Sequence, residues 1–427
     1  MIGINVEGVM MSVDNTRVKR LGDYISQLQS GENIGAAARE LYMQYQQDLL
    51  AVTPQEAFEI FTDRFKGGER AADILVYLDK IINVFHRGLT SYKWNKPVRG
   101  SFVGLLRREN EELVRRLDLI SDKLQTDSIE NQRSGLLADT SELLEFEAHY
   151  LKKENILFPY MEKQSQRYEG VAIMWSLHDE ARNSINAAIA ALSDGPAAVH
   201  DESELSVIIG KLFFAMHGLV QKEELILFPA ASEIFTEVDF LEMLRQSYEY
   251  GFPFVGVEEI PDKLEVIAKL QSAAKDHEAP SVREALADCL IRSETGTLTA
   301  EQALMIFSAL PVDLSYVDEY NKLRYFSRPK DRIFPRSPAA IGRDVKNCHP
   351  PESVHIVEEI IDAFRSGKQD AVSFWIEVRG RFVLIQYFAL RDAENSYRGV
   401  LEVSQDISDI RKLEGQRRLL QWDQEDI

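Results

Sequence analysis

Histidine and acidic side chains recur in helical segments of the middle third of the chain. The stretch "HYLKKENILFPYME" runs from His149 to Glu162, and "GLVQKEELILFPAA" runs from Gly218 to Ala231. A shift of seventy residues superimposes their Phe-Pro pairs and places Glu154 over Glu224. Imidazole and carboxylate groups are common ligands of metal ions in proteins. The duplicated pattern therefore raises the hypothesis of a metal centre assembled from two matched halves.

A second correspondence lies upstream of each repeated segment. A shift of 69 residues lays "RENEELVRRL" over "LHDEARNSIN", which places Glu109 over His178. The pattern therefore indicates two αα-hairpins, each with one ligand-like residue on its first helix and an acid-rich turn on its second. Two such hairpins pack as an antiparallel four-helix bundle, whose core can surround one dinuclear centre.

Six residues are the candidate metal ligands: His149, His178, His217, Glu109, Glu154 and Glu224. His217 and Glu224 share one face of a regular helix, because seven residues span nearly two turns. His149 and Glu154 lie about 140° apart on a helix of about 3.6 residues per turn. We therefore expect the second helix to offer either Glu145 with His149, or Glu154, rather than all three. The alternative for each residue is an ordinary core or surface position, since runs such as "RRENEELVRR" are usually solvated faces.

The candidate residues lie in one of several domains that the sequence predicts along the chain. With 427 residues, the protein is long enough for about two to four domains. We predict a helical domain over 16–95, a four-helix bundle over 100–250, a partly helical connector over 251–310, an α+β domain with an antiparallel sheet over 311–412 and a helical tail over 413–427. The stretch "VSFWIEVRGRFVLIQYFALRDAENSYRGVLEVSQDIS" predicts the sheet as a β-meander with a turn at Arg379-Gly380.

The bundle region resembles the hemerythrin-like, or HHE cation-binding, family. The resemblance is carried by "LHDEAR" at 177–182, "HYLKKENILFP" at 149–159 and "KEELILFP" at 222–229. It implies a four-helix bundle with non-haem iron, as a di-iron or a mononuclear centre, and a role in sensing oxygen, nitric oxide or redox state. The chain departs from the family pattern at Arg182 and Leu219, where the family places histidines.

The region from about Leu314 to Ile410 resembles a PAS domain. "VDLSYVDEYNKLRYFS" matches the opening hairpin, the segment containing "NCHPPES" matches the helical section, and the β-meander matches the rest. The N-terminal helices are similar to a domain of unknown function that precedes hemerythrin-like and PAS domains in bacterial and archaeal proteins. A PAS cavity holds haem, flavin or a metabolite, or stays empty, and the candidate cofactor residues are Cys348, His349 and His355. A capped loop explains "NCHPPES" without haem.

Charge and composition exclude several partners. The formal net charge of -20 and the pI near 5.0 argue against a nucleic-acid or anionic-membrane surface. The two cysteines exclude a disulfide framework, and no signal peptide or membrane-length apolar run is evident. We therefore expect a cytoplasmic protein whose partners are small molecules, metals or proteins.

Three functions remain open from the sequence. The first is a cytoplasmic sensor, in which a diatomic ligand or redox change at bundle iron is relayed by the PAS domain to a protein partner or within a homodimer. The second is a di-iron enzyme-like protein that handles oxygen, peroxide or nitric oxide. The third is a metal-free interaction protein with a decayed site. No catalytic triad or phosphate-binding loop is visible, which favours a protein without enzymatic activity.

Overall fold

The computed structural model describes residues 13–30, 36–193, 202–274, 289–350 and 353–416. These residues form two compact units, one made mainly of residues up to 274 and the other mainly of residues from 289. The first unit is helical and the second contains the larger sheet. The predicted helix of the C-terminal tail lies largely outside the described residues, as does part of the predicted connector.

The first unit begins with four helices that precede the bundle. They are α1 (Asn15–Gln29), α2 (Ala36–Ala51), α3 (Pro54–Lys66) and α4 (Ala71–Ser91). Thr53 precedes α3 and forms a capping box, because its side chain accepts from the Glu56 amide while the Glu56 carboxylate accepts from the Thr53 amide. Gly88 allows α4 to approach the backbone of α2 closely, since a Cβ there would overlap the Leu49 carbonyl oxygen.

The bundle follows, and two of its helices are interrupted by short π-helical turns. Its elements are α5 (Phe102–Thr126), α6 (Ile129–Glu142), α7 (Glu147–Lys152), the first π turn (Lys153–Leu157), α8 (Phe158–Gln164), α9 (Ala172–Ser193), α10 (Glu202–Lys222), the second π turn (Glu223–Leu227) and α11 (Phe228–Ile234). Short 3-10 turns at Leu143–Phe146 and Gln166–Val171 join α6 to α7 and α8 to α9. The predicted helical bundle is therefore confirmed, with each repeated segment containing a π turn.

Two further helices complete the first unit: α12 (Glu237–Ser247) and α13 (Lys263–Ala274). One helical run of the described chain, Ser203–Ile234, is long and apolar enough to cross a membrane by length and composition. It packs against α9, and it carries the buried Glu223. Such a run is weak evidence for a membrane span, since core helices of bundles share this composition.

The second unit is built around a five-stranded antiparallel sheet with the order β4-β3-β7-β6-β5. Its elements are β1 (Leu290–Ser293), β2 (Gly296–Thr299), α14 (Ala300–Ala309), β3 (Asp313–Asp318), β4 (Leu323–Phe326), α15 (Val354–Arg365), β5 (Ala371–Val378), β6 (Arg381–Arg391) and β7 (Tyr397–Asp406). The predicted hairpin turn at Arg379-Gly380 is confirmed, and both residues have positive φ, as a two-residue β-hairpin of type I′ requires. The predicted α+β domain with an antiparallel sheet is confirmed.

Candidate metal centre

Five ligand-type side chains are buried in the bundle core. They are Glu109 on α5, His149 on α7, Glu154 in the first π turn, His178 on α9 and Glu223 in the second π turn, each at most 1% exposed. The sequence hypothesis named four of them and missed Glu223. Glu223 could have been found from the repeat, because a shift of seventy residues aligns it with Lys153.

The first π turn explains why both His149 and Glu154 are buried. The turn contains an i→i+5 hydrogen bond from the Phe158 amide to the Lys153 carbonyl, so it is wider than an α-helical turn. Pro159 follows it, and a proline has no amide hydrogen and its ring clashes with the carbonyl four residues earlier. Pro229 follows the second π turn at the equivalent position. As expected, Glu145, His149 and Glu154 do not all face the core, but the expected grouping was wrong: His149 is buried together with Glu154, whereas Glu145 is exposed.

Glu109, His149 and Glu223 form a continuous hydrogen-bonded chain. His149 Nδ1 lies 2.7 Å from Glu109 Oε2, and His149 Nε2 lies 3.0 Å from Glu223 Oε2. The amide nitrogen of Asn110 also donates to Glu223 Oε2, at 2.8 Å. The His149 imidazole thus links carboxylates from two different helices and has a structural role in the core.

Two buried lysines complete this chain at its ends. The Lys152 ammonium group pairs with Glu109, and the Lys153 ammonium group pairs with Glu223. Burial lowers the pKa of both lysines, and their carboxylate partners oppose that change. Burial alone would raise the pKa of Glu223, but Lys153 and His149 outweigh it and lower the pKa to about 2. Glu223 is therefore ionised and held by positive charge that the chain itself supplies.

A second cluster contains His178, Glu154 and Arg182. His178 Nδ1 lies 2.8 Å from Glu154 Oε1, and Arg182 Nη2 donates to the same oxygen at 3.0 Å. Burial raises the pKa of Glu154 to about 7, and Arg182 opposes this rise. Burial, reinforced by the charge of Lys153, lowers the pKa of His178 well below its usual value. His178 is therefore neutral, and its Nε2 atom is buried without a hydrogen-bond partner among the described residues.

The other two candidates lie outside this buried set. His217 is exposed on α10, where its ring stacks with that of Phe213. Glu224 is half-buried and accepts from Arg107 Nε at 2.9 Å, and the guanidinium group of Arg107 lies over the Trp94 ring. Each of these side chains thus has an ordinary structural role.

The buried residues do not fit a metal ion in this arrangement. In the part of the chain that the structure describes, no group of three or more His, Cys, Asp or Glu side chains is arranged to hold a metal. The carboxylates of Glu109, Glu223 and Glu154 contact Lys152, Lys153 and Arg182, respectively. His178 Nε2 has no hydrogen-bond partner among the described residues. The core therefore contains ligand-type atoms, but its carboxylates are already neutralised.

The PAS-like unit contains a separate small cavity of about 30 Å³, partly open to solvent. It is lined mainly by aliphatic side chains from the sheet and α15, together with His349, Tyr387 and Glu402. Burial lowers the pKa of His349 to about 4, so the imidazole is neutral near pH 7. Cys348 is half-buried with its thiol 3.6 Å from the Asp344 carbonyl oxygen, and His355 is exposed. Of the three candidate cofactor residues, His349 is therefore the one that lines the cavity.

Comparisons with known proteins identify two regions of the chain. A family model described as hemerythrin HHE cation binding domain matches residues 101–231, and one described as PAS domain matches residues 304–408. A search of curated proteins finds no match.

Three solved structures show limited similarity. A C-terminal domain from Streptococcus mutans is 31% identical, with 30% of this chain and 99% of that chain covered, at a TM-score of 0.29. A PAS domain from Colwellia psychrerythraea is 17% identical, with 26% of this chain and 97% of that chain covered, at a TM-score of 0.21. The sensor region of a sensor histidine kinase is 14% identical, with 37% of this chain and 54% of that chain covered, at a TM-score of 0.18. The family models thus provide the identification: the chain carries a hemerythrin HHE domain followed by a PAS domain.

Proposed function

We propose that this protein is a signalling protein in which the PAS cavity receives a small molecule and the hemerythrin domain acts as a metal-independent helical scaffold. The combination of the two domains supports a sensor or signalling role. The finer assignment rests on one observation, which is that each carboxylate in the bundle core already contacts a cationic side chain. A ligand-binding iron site needs carboxylates that are available to the metal.

Iron loading tests the metal-independent scaffold. The purified protein would be incubated with Fe²⁺ under nitrogen, freed of excess iron and analysed for metal content and absorption before and after exposure to air. We expect iron far below one ion per chain and no change in the visible spectrum. One or two firmly bound iron ions per chain would contradict the proposal.

The PAS cavity is the second part of the proposal. Its lining combines aliphatic side chains with a few polar groups, among them neutral His349, which is the composition of a small-molecule site. Because the cavity holds only about 30 Å³, a metabolite has to displace side chains of the lining when it binds. Val357 on α15 lines the cavity, whereas its neighbour Ile356 is exposed. A metabolite library would be screened by thermal shift against the wild type, Val357→Phe and Ile356→Phe. If the cavity is a receptor site, we expect compounds that raise the thermal midpoint of the wild type and of Ile356→Phe but not that of Val357→Phe.

An iron-dependent sensor, or a di-iron enzyme-like protein, is the second candidate. It is favoured by the burial of two histidines and three carboxylates in one core, and by the unpartnered Nε2 atom of His178. Iron there would draw on Glu109, Glu154 and Glu223 after their cations had moved, rather than on His217 or Glu224. Sustained oxygen consumption by iron-loaded protein with an electron donor would distinguish an enzyme from a sensor.

We propose that the PAS domain provides the surface for a protein partner or for a second copy of the chain. Strand β5 exposes Phe374, Trp375 and Ile376 in succession, with Trp375 66% exposed. Exposed apolar patches of this kind mark association surfaces. Sedimentation of the wild type and of Trp375→Glu would test this, and a dimer that persists unchanged in the variant would contradict it. A cytoplasmic location stays a prediction.

A further inference from the structure

The two repeated segments of the bundle have the same local structure as well as similar sequences. Each changes from an α-helix to a π turn at the equivalent residue, Lys153 in the first copy and Glu223 in the second. Each π turn ends at a Phe-Pro pair, after which the α-helix resumes. Lys153 and Glu223 therefore occupy matched positions of a duplicated structure.

These matched residues carry opposite charges and pair with each other. Both side chains are fully buried, and the Lys153 ammonium group donates directly to Glu223 Oε1. The other oxygen of Glu223 contacts His149 and Asn110. The ammonium group thus occupies the space next to the Glu223 carboxylate in which a bound cation would have to lie.

The orphan imidazole nitrogen gives independent evidence of a site on this side of the core. His178 Nδ1 lies 2.8 Å from Glu154 Oε1, and when the imidazole is neutral and Glu154 is ionised, Nδ1 donates and Nε2 carries the lone pair. A carboxylate that fixes one nitrogen of a histidine, so that the other can bind a metal, is the usual outer-shell arrangement of metal sites. The Lys153 ammonium group lies 5.3 Å from the centre of the Tyr150 ring, and the His178 ring stacks on the same tyrosine with a centroid distance of 4.8 Å. The free nitrogen and the ammonium group therefore belong to one neighbourhood.

We infer that Lys153 is the resident cation of the hemerythrin domain, and that it excludes a divalent metal from a site formed by Glu223 and His178. The inference rests on the proposed metal-independent scaffold and extends it. A carboxylate at position 153 would match Glu223 in the other repeat, remove the competing ammonium group and add a ligand. Lys153→Glu therefore converts the ion pair into a carboxylate pair beside a free imidazole, and this set suits Zn²⁺ or Fe²⁺.

The experiment compares metal binding by the wild type, Lys153→Glu and Lys153→Met in the full chain. Each protein would be incubated with Zn²⁺, or with Fe²⁺ under nitrogen, and its metal content and thermal midpoint measured. We expect Lys153→Glu to bind about one metal ion per chain and its midpoint to rise with metal concentration, because a ligand that binds only the folded state stabilises it. Lys153→Met loses the ion pair without gaining a ligand, so its midpoint should fall and metal should not restore it.

Adding His178→Ala to Lys153→Glu identifies the site. This double variant should lose the bound metal and the metal-dependent rise in midpoint. Metal binding that survives it, or that is equally strong in Lys153→Met, would overturn the inference. So would a folded Lys153→Glu protein that binds no metal. If Lys153→Glu does not fold without metal, refolding in the presence of Zn²⁺ should recover it, and failure to do so while Lys153→Met folds also counts against the inference.

The two proposals fail in different ways. Stoichiometric iron in the wild type would contradict the metal-independent scaffold, since Lys153 would then not exclude a metal. A wild type without metal combined with a metal-free Lys153→Glu would leave the scaffold proposal standing and reject the role assigned to Lys153.

Discussion

Lys152 joins the buried bundle core to the segment that follows α12, because its ammonium group donates to the Gly251 carbonyl oxygen at 2.9 Å. The same ammonium group pairs with Glu109 and lies 4.5 Å from the centre of the Phe252 ring. Gly251 has φ of 82°, a conformation that favours glycine and turns the chain over the lysine. The end of the bundle is thus fixed by a charge from its own core.

Replacing Lys152 with Met should destabilise the helical unit strongly. The substitution leaves the fully buried Glu109 without its ammonium partner and frees the Gly251 carbonyl. Breaking a buried pair costs about 3 to 5 kcal/mol. Urea unfolding followed by far-UV circular dichroism measures the change, and Lys211→Met, at an exposed position of α10, is the matched control. Adding Glu109→Gln should recover part of the loss, and no recovery would contradict the pairing.

Arg182 should stabilise the ionised form of Glu154. Its guanidinium group also contacts Glu147 and Asp179 and lies over the Tyr150 ring. Arg182→Met should cost about 1.5 to 3 kcal/mol, as expected for lost hydrogen bonds between charged groups. It should also raise the pKa of Glu154 above about 7, which carbon-13 NMR of the carboxyl group measures.

The control for Arg182 is a surface ion pair. Arg115 pairs with Glu112 and is 56% exposed, so Arg115→Met should change stability by less than about 1 kcal/mol. Equal losses in the two arginine variants would show that Arg182 acts only as a surface charge.

The PAS domain should lose stability as the pH falls from about 6.5 to about 4. Burial lowers the pKa of His349 from 6.5 to about 4, with Glu402 opposing and Arg336 and Arg343 reinforcing the shift. Between these values the unfolded chain binds a proton that the folded domain does not, so the unfolding free energy decreases as the pH falls. Below pH 4 both states are protonated, and this contribution stays constant.

His349→Asn should remove that dependence. Unfolding free energies of the wild type and the variant would be compared from pH 7 to pH 4. The difference between them gives the contribution of His349 to the pH dependence. His355→Asn, at an exposed position of the same domain, should follow the wild type. A His349→Asn curve parallel to the wild-type curve would contradict the assignment.

Gly88→Ala should destabilise the helices that precede the bundle. An added Cβ would overlap the Leu49 carbonyl oxygen and lie 2.7 Å from Val52 Cγ1, so α4 would have to move away from α2. Such overpacking costs about 1 to 3 kcal/mol. Gly210→Ala on α10 meets no atom within 4 Å and should instead stabilise by about 0.5 to 1 kcal/mol. Thermal unfolding measures both, and equal midpoints would contradict the close packing.

The sequence by itself determined the architecture, because periodicity and turn chemistry are local properties. Helical spacing and the Phe-Pro repeat predicted the bundle, and Arg379-Gly380 predicted the hairpin turn of the sheet. The repeat also singled out His149, His178, Glu109 and Glu154 as candidate ligands, and all four are buried.

Only the tertiary structure decided what that core contains. A π turn changes the helical register, so Glu154 became buried together with His149. Lysine side chains almost always keep their charge in solvent, yet Lys152 and Lys153 are both buried against carboxylates from other helices. Whether a lysine lies in solvent or beside a buried glutamate depends on contacts between residues far apart in the chain, and helical periodicity carries no information about such contacts.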